Sequence, residues 1–503
     1  MNKSSFVKNS FILTLSNLAT YILGFIFSIA LSKQLGPEGM GLYGLVRPLY
    51  MVFTCLACGG LVTAVSKISA AYYGRGDYKN VKRTIKTLLP ITFLWSVFIA
   101  VLLFLFSSTI GTYIIRDART INALKLLCPA IVFVAISNCL KGYFYCTFQV
   151  SVPAIIDIFE KTIRIVILVT IVSSLKLVNV TTTVTGAYFA LCIGEFISFI
   201  LLYGYYKFNI KKIPYTINKG ESRAQLLFNT ISISFPLLLT GLIASLLSTC
   251  SALIIPSRLV SSGIEYKVAL GMLGKFNGMA KNIVFFPMVV IESISLILIP
   301  DLSMNLSKKH FKSVDTRISK ILELSFLLGI TTMIISLCIG DNLGFMLYKR
   351  NDLGNYIKFA SLAAPIFYTA STTFGVLNGL GKQKILLRNS IIVSLVRILL
   401  LYILTAIPSI NIYGYGITMI VTSLISLILN LYEIKKLSHL KLNFFHYIFD
   451  CLIASFTYFI LVILTKILST NWSVLSNILI ILLGFIIMFL FRNTFGKGKT
   501  KTQ

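Results

Sequence analysis

The chain is a succession of apolar segments, each long enough to cross a bilayer, joined by short polar connections. A spanning helix needs about 20 mostly apolar residues, because its backbone must satisfy every N–H and C=O internally. Fourteen segments meet that length: 10–32, 42–65, 87–107, 123–143, 153–174, 182–206, 226–253, 280–301, 321–342, 357–378, 389–408, 412–432, 446–466 and 474–492. No connection is long enough to fold alone. The composition agrees, with 56% hydrophobic and 12% charged residues, against about 25% charged in a soluble domain. A soluble enzyme, a disordered chain and a secreted disulfide scaffold are excluded. The expected fold class is an all-α polytopic membrane protein.

The remaining charge is lopsided: 46 Lys and Arg face 16 Asp and Glu, a net +30. A soluble chain with this balance would suggest nucleic acid. Here there is no polar domain to hold one, so no nucleic-acid partner is expected. Basic loops meeting anionic head groups explain the excess. With the N-terminus inside, 29 of the Lys and Arg fall on one side and 14 on the other. This predicts a multi-pass protein of the cell membrane with both termini cytoplasmic and an even number of spans. The first apolar stretch, Ser10 to Ser32, exceeds a signal-peptide core of about 7–15 residues and reads as a retained helix.

Motifs for soluble chemistry are absent. Cys55 and Cys58 form a CxxC, but no second pair stands at zinc spacing, so they read as small buried residues. His310, His439 and His446 sit in polar loops, and no metal site is expected. No P-loop, GxSxG or HExxH is present, so neither ATP hydrolysis nor nucleophilic catalysis is implied. The expectation is a protein without cofactor that is not an enzyme.

The chain repeats internally. Residues 35–69 align without a gap on 269–303, so that Gly44 meets Gly278, Arg47 meets Lys281 and Ser69 meets Ser303. Further on, Gly142 meets Gly375, and Arg164-Ile165 meets Arg397-Ile398. Then Gly186 meets Gly414, and Ile197-Ser198 meets Ile425-Ser426. The order and near-constant spacing predict two pseudo-symmetric six-helix lobes with two C-terminal helices appended. The expected division is 1–206 for the N-lobe, 207–225 for a cytoplasmic linker, 226–432 for the C-lobe, and 433–503 for helices 13 and 14 with a basic tail. Parallel repeats of this kind build transporters whose substrate lies between the halves.

Ionisable residues inside spans point to function by default, since each costs roughly 2.5–3.5 kcal/mol to insert. Arg47 and Lys281 hold matched places near the outer ends of the second helices of their halves. Arg47, Tyr50 and Thr54 share one helical face, and Asn17 and Tyr21 lie on a polar stripe of span 1. Two cations on a common cavity suit an anionic ligand, and Arg grips phosphate with two hydrogen bonds. Asp157, Glu160, Lys161 and Arg164 cluster on span 5, where Glu160 and Arg164 are four apart. Arg397 takes the matching place on span 11, with Val393 where a partner acid would be. The set reads as an ion pair or a gate. Glu195 and Glu292 are isolated acids within spans, candidates for coupling transport to an H+ or Na+ gradient or to the membrane potential.

Several stretches resemble a known family: LSKQLGPEGMGLYGL (31–45), GGLVTAVSKISA (59–70), YGRGDYKNVKR (73–83), GYFYCTFQVSVPAIIDIFEKTIR (142–164), IIPSRLVSSGI (254–264), GMAKNIVFFPMVVIESISLILIPDLS (278–303) and GVLNGLGKQKILLRNSIIVSLVR (375–397). The chain resembles the stage V sporulation protein B group of the multidrug/oligosaccharidyl-lipid/polysaccharide exporter superfamily. The resemblance implies a fourteen-helix, two-lobed flippase for a polyprenyl-pyrophosphate-linked saccharide, related to the lipid II flippases. It also implies alternating access, a role in cell-wall or spore cortex synthesis, and membrane lipid and lipid-linked glycan as partners. Cavity arginines of those relatives map onto Arg47 and, as a lysine, onto Lys281. Their basic residues in span 1 have no counterpart here, where Asn17 and Tyr21 stand. Two other readings compete: a cation-coupled multidrug exporter of the same superfamily, and a membrane glycosyltransferase or polymerase. The first wants acids in its cavity and the second wants acids or histidines at an exposed loop.

Overall fold

The computed structural model describes residues 3–174, 179–211, 221–294, 302, 311–437, 444–468 and 474–496. The described elements are helical throughout: α1 Lys3–Cys58, α2 Leu61–Gly74, α3 Tyr78–Thr109, α4 Ile121–Cys146, α5 Ser151–Ser174, α6 Val180–Ile210 and α7 Arg223–Ser261. Then follow α8 Tyr266–Leu273, a π-helical turn Gly274–Ala280, α9 Lys281–Phe285, α10 Phe311–Tyr348, α11 Gly354–Ser361 and α12 Ala364–Gly379. The chain ends with α13 Gln383–Leu404, α14 Tyr413–Leu437, α15 Phe444–Leu468 and α16 Val474–Gly496.

Ten of these helical runs are long and apolar enough to cross a membrane, or eleven if α11 and α12, which meet at 51°, form one bent span. Sequence reading counts fourteen, and the difference has local causes. The predicted spans 10–32 and 42–65 lie in one run, Leu15–Gly74. The break between those two spans is a single residue, Gly36 with φ 64° and ψ −175°, a conformation open to glycine. Helix α5 carries Asp157, Glu160, Lys161 and Arg164, too much charge for a purely apolar span. The predicted span 280–301 is interrupted by the π turn and by a turn at Phe286–Pro287, and its residues 295–301 lie outside the described residues.

Two compact units result, Met1–Leu253 and Ile254–Gln503. Sequence reading puts 226–253 in the second lobe, whereas here this stretch of α7 belongs to the first unit. The reason is a seat made by Gly59 and Gly60 at the end of α1. Gly60 takes φ 72°, and a Cβ there would stand 2.6 Å from Leu237 Cβ and 2.8 Å from Ser234 O. At Gly59 a Cβ would stand 3.0 Å from Leu238 Cα. The bare backbone therefore lets α7 close onto α1, and the Cys55 thiol donates to Leu238 O at 3.5 Å.

In the second unit α10, α12, α13 and α14 enclose an apolar core around Ile318, Leu322, Val376, Leu377, Leu386 and Ile434. Helices α15 and α16 are fastened to α10 by charge. Arg492 reaches Glu323 at 2.8 Å and Asp450 at 3.4 Å.

Candidate functional site

Helical spacing places Arg47, Tyr50 and Thr54 on one face of α1, and the structure separates their environments. Tyr50 is buried and Thr54 half-buried, while Arg47 is exposed. Among the described residues Arg47 has no ion pair. Next to it, Tyr43 stacks on Tyr188 of α6 with centroids 4.7 Å apart, and the Tyr188 hydroxyl donates to Tyr43 O at 2.8 Å. This contact fixes the segment of α1 that presents Arg47 against α6.

Two turns along α6 from Tyr188, Glu195 joins a charged cluster carried mainly by α5. Arg164 of α5 pairs with Glu160, four residues back, and with Glu195 of α6 at 3.0 Å. Lys161 Nζ lies 3.5 Å from the other Glu160 oxygen, and Lys141 of α4 pairs with Asp157 at 2.7 Å. The first segment of α1 adds Phe27, whose ring centroid is 6.0 Å from the Arg164 guanidinium. Tyr50 lies close enough to feel both Arg164 and Glu195. What the sequence presents as two clusters and an isolated acid is thus one site, and Glu195 is not isolated. Three acids face three cations, so the cluster is formally neutral, as burial in an apolar surround demands. Arg47 is the uncompensated charge beside it.

Asn17 and Tyr21 lie on the first segment of α1, half-buried and exposed respectively. The neighbouring Ser16 hydroxyl donates to Ala154 O at 3.1 Å, which seats this segment on α5. No described contact carries Asn17 or Tyr21 to Arg47.

The second unit carries the other two predicted cations, Lys281 and Arg397. Lys281 follows directly on the π turn, a distortion that re-aims side chains and recurs at functional sites. Its Nζ lies 3.3 Å from the Tyr415 hydroxyl and 3.4 Å from Asn277 Oδ1. Tyr415 in turn donates to Asn277 at 3.1 Å. The repeat offset that pairs Arg47 with Lys281 pairs Tyr43 with Asn277; Tyr43 contacts Tyr188 of α6, and Asn277 contacts Tyr415 of α14. Arg397 is half-buried and forms no ion pair among the described residues. The positions matching Glu160 and Glu195 are Val393 and Ser423, and neither offers a charge. Glu292 is half-buried and stands apart from the ion pairs of the described residues. Among those residues no group of His, Cys, Asp or Glu is arranged to hold a metal ion.

Sequence reading missed two networks. Arg388 pairs with Glu433 at 2.7 Å and bonds Asn389, which reaches Asn430 at 2.9 Å and through it Thr373 at 3.0 Å. The second is the Glu323–Arg492–Asp450 group. Their signal was in the sequence as polar residues near span ends, but partners some 40 to 170 positions apart carry no periodicity to betray them.

Known proteins share this plan. The polysaccharide biosynthesis protein family matches residues 6–306. Stage V sporulation protein B of Bacillus subtilis (strain 168) is 24% identical over 449 residues, 89% of this chain and 87% of its own. The lipid II flippase MurJ of the same strain is 23% identical over 405 residues, covering 76% and 74% of the two chains. Among solved structures, the inward closed conformation of lipid II flippase MurJ superposes with a TM-score of 0.72 over 96% of this chain and 98% of that one, at 14% identity. An inward-facing multidrug resistance MATE family transporter of the MOP superfamily superposes with a TM-score of 0.66 over 84% and 95%, also at 14% identity. With all-helical architecture, ten or more apolar spans and a family match over more than half its length, the chain is a multi-pass membrane protein belonging to the polysaccharide biosynthesis protein family.

Proposed function

We propose that the protein is a flippase that carries a polyprenyl-pyrophosphate-linked saccharide across the cell membrane by alternating access, rather than an enzyme. The observation that carries this reading is Arg47: exposed, without an ion pair among the described residues, beside a cluster whose own charges cancel. A lone guanidinium on a membrane helix is costly unless an anion visits it, and pyrophosphate is matched to its fork of donors. Lys281 is the second head-group cation, held ready by Tyr415 and Asn277. Tyr50 and Thr54, on the helical face of Arg47, and Asn17 and Tyr21, on the first segment of α1, complete the proposed binding set.

The reading includes fourteen crossings in two six-helix lobes with two helices appended, and both termini in the cytoplasm. The Glu160–Arg164–Glu195 cluster, with Asp157 nearby, is the gate of the first lobe. Arg397 is its reduced counterpart in the second. Glu195 and Glu292 are the acids through which an H+ or Na+ gradient, or the membrane potential, couples to movement. Similarity to stage V sporulation protein B supports a role beside cell-wall or sporulation machinery.

The test is translocation of a fluorescent lipid-linked saccharide in reconstituted vesicles. Native protein moves it, and Arg47→Ala and Lys281→Ala move it slowly. Equal rates in all three remove the site assignment. Likeness to a multidrug MATE transporter favours a second reading, cation-coupled drug export. A cationic drug needs uncompensated acid, however, and the free charge beside the neutral cluster is positive. Drug-dependent acidification of the same vesicles, without lipid movement, would reverse the preference.

A further inference from the structure

A crevice of about 320 Å³ opens in the second unit away from the cations above. It is lined by Leu337 of α10, by Asn355, Lys358, Phe359 and Leu362 along α11 and its end, and by Tyr413 of α14. Residues 355, 358, 359 and 362 fall on one helical face. Lys358 Nζ pairs with Asp341 of α10 at 2.5 Å, and the pair stays open, with the Asp341 side chain 60% exposed and that of Lys358 33%. Gly354 has no side chain to collide with Asp341, so the carboxylate seats over the first turn of α11, where the helix start favours negative charge.

The layout is two-ended. Leu337 lies four residues from Asp341 on α10, and Leu362 lies four residues from Lys358. Both leucines stand on the side away from the turn 349–353. Ile339, with φ −120° and ψ 23°, bends α10 between Asp341 and Leu337, and Leu362 stands just past the end of α11, so the charges lie toward the turn 349–353 and the hydrocarbon lies further from it. Asp341 itself is seven residues from the end of α10 at Tyr348. That is about 10 Å along the axis, and the predicted span 321–342 ends beside it.

We propose that this crevice holds a phospholipid with a zwitterionic phosphoethanolamine head. Lys358 and the exposed amide of Asn355 donate to the phosphate, the lipid ammonium donates to Asp341, and acyl chains lie along Leu337, Phe359 and Leu362. A head bearing both signs extends the pair, whereas a purely anionic head meets the open face of Asp341. A choline head has no N–H to donate. A sugar would want an aromatic platform, but Tyr413 is engaged by Tyr356 in a stack at 5.9 Å and by the edge of Phe359 at 4.9 Å.

The experiment is native mass spectrometry of delipidated full-length protein titrated with dioleoyl phosphatidylethanolamine, phosphatidylcholine or phosphatidylglycerol. Phosphatidylethanolamine is expected to bind about ten-fold more tightly than the other two, one charge-assisted hydrogen bond's worth. Asp341→Asn is expected to erase that preference. Leu362→Trp, at an exposed position that leaves the core untouched, fills the crevice and lowers retention of all three. Arg119→Gln, in an ion pair of the first unit, is the unchanged control. Equal affinity for the three lipids in the native protein overturns the proposal. So does a preference that survives both variants, or displacement of bound phosphatidylethanolamine by a soluble N-acetylglucosamine oligomer.

Discussion

The two units carry cations at matched places and partner them in opposite ways. In the first, Arg47 is open and Arg164 is clasped by Glu160 and Glu195. In the second, Lys281 is tethered by Tyr415 and Asn277, and Arg397 is without an ion pair among the described residues. At the positions that the repeat offset matches, the two units hold different cations. The lesson is that a charge's position and its availability are separate properties. The repeat dictates the first, and side chains from neighbouring helices dictate the second.

The largest expected effect is on the clasped arginine. Arg164→Ala leaves two acids facing a single lysine inside the first unit, at a cost of about 3–5 kcal/mol. Arg397→Ala removes a charge without an ion pair among the described residues and should shift stability by less than about 1 kcal/mol. Denaturant titration of the purified protein in detergent measures both. Equal losses would mean that Arg397 has a partner as strong as Arg164's.

Next in size is the effect on transport. Arg47→Ala should slow translocation of a lipid-linked saccharide by about ten-fold or more, the loss of one charged hydrogen-bonding group, with stability unchanged. Lys281→Ala should slow it less, because its ammonium already spends part of its bonding on Tyr415 and Asn277. The reverse order would make the tethered cation the principal one. A smaller change is expected for Tyr415→Phe, which removes one hydroxyl from Lys281 and Asn277. It should cost about 1 kcal/mol and raise the half-saturating substrate concentration while sparing the maximal rate.

Installing the missing acid with Val393→Glu gives Arg397 a partner one turn away. On an exposed helix such a pair adds about 0.3–0.5 kcal/mol, and here it should slow transport if a free Arg397 is needed for the second lobe to move. A rate equal to that of native protein would assign Arg397 no part in gating.

The smallest effect lies in the turn 349–353. Hydrogen bonding from Arg350, with Lys275 adding to it, holds the Asp352 carboxyl well below the usual carboxylate range. A depressed value means that the ion pairs contribute fully above the unfolded value near 3.9 and are lost as pH falls below about 4. The protection factor of amides in this turn, taken relative to the intrinsic exchange rate at each pH, should therefore fall as pH drops below about 4 in native protein and stay flat in Asp352→Asn.

Much of this protein was legible in one dimension. Membrane spans are set by local hydropathy and length, so α4, α6 and α13–α16 fall within about six residues of their predicted limits, while α3 and α10 begin nine and ten residues earlier than predicted. The i, i+4 pair of Glu160 and Arg164 needs only helical periodicity, and the matching of Arg47 with Lys281 needs only a repeat offset. The sequence also shows Gly36-Pro37, although not that one residue would carry the whole break between two spans.

Contacts between helices decided the rest. Glu195 looks isolated along α6 because its partner is 31 residues away on α5, and only packing brings them to 3.0 Å. The placement of α7 with the first unit depends on two glycines nearly 180 residues earlier. The ion pair of Lys358 with Asp341 and the triad of Arg492 have the same character. Hydropathy assigns a segment to the membrane but is indifferent to which neighbour it meets. In an apolar medium that choice falls to close backbone approach and to the few charges that must find one another.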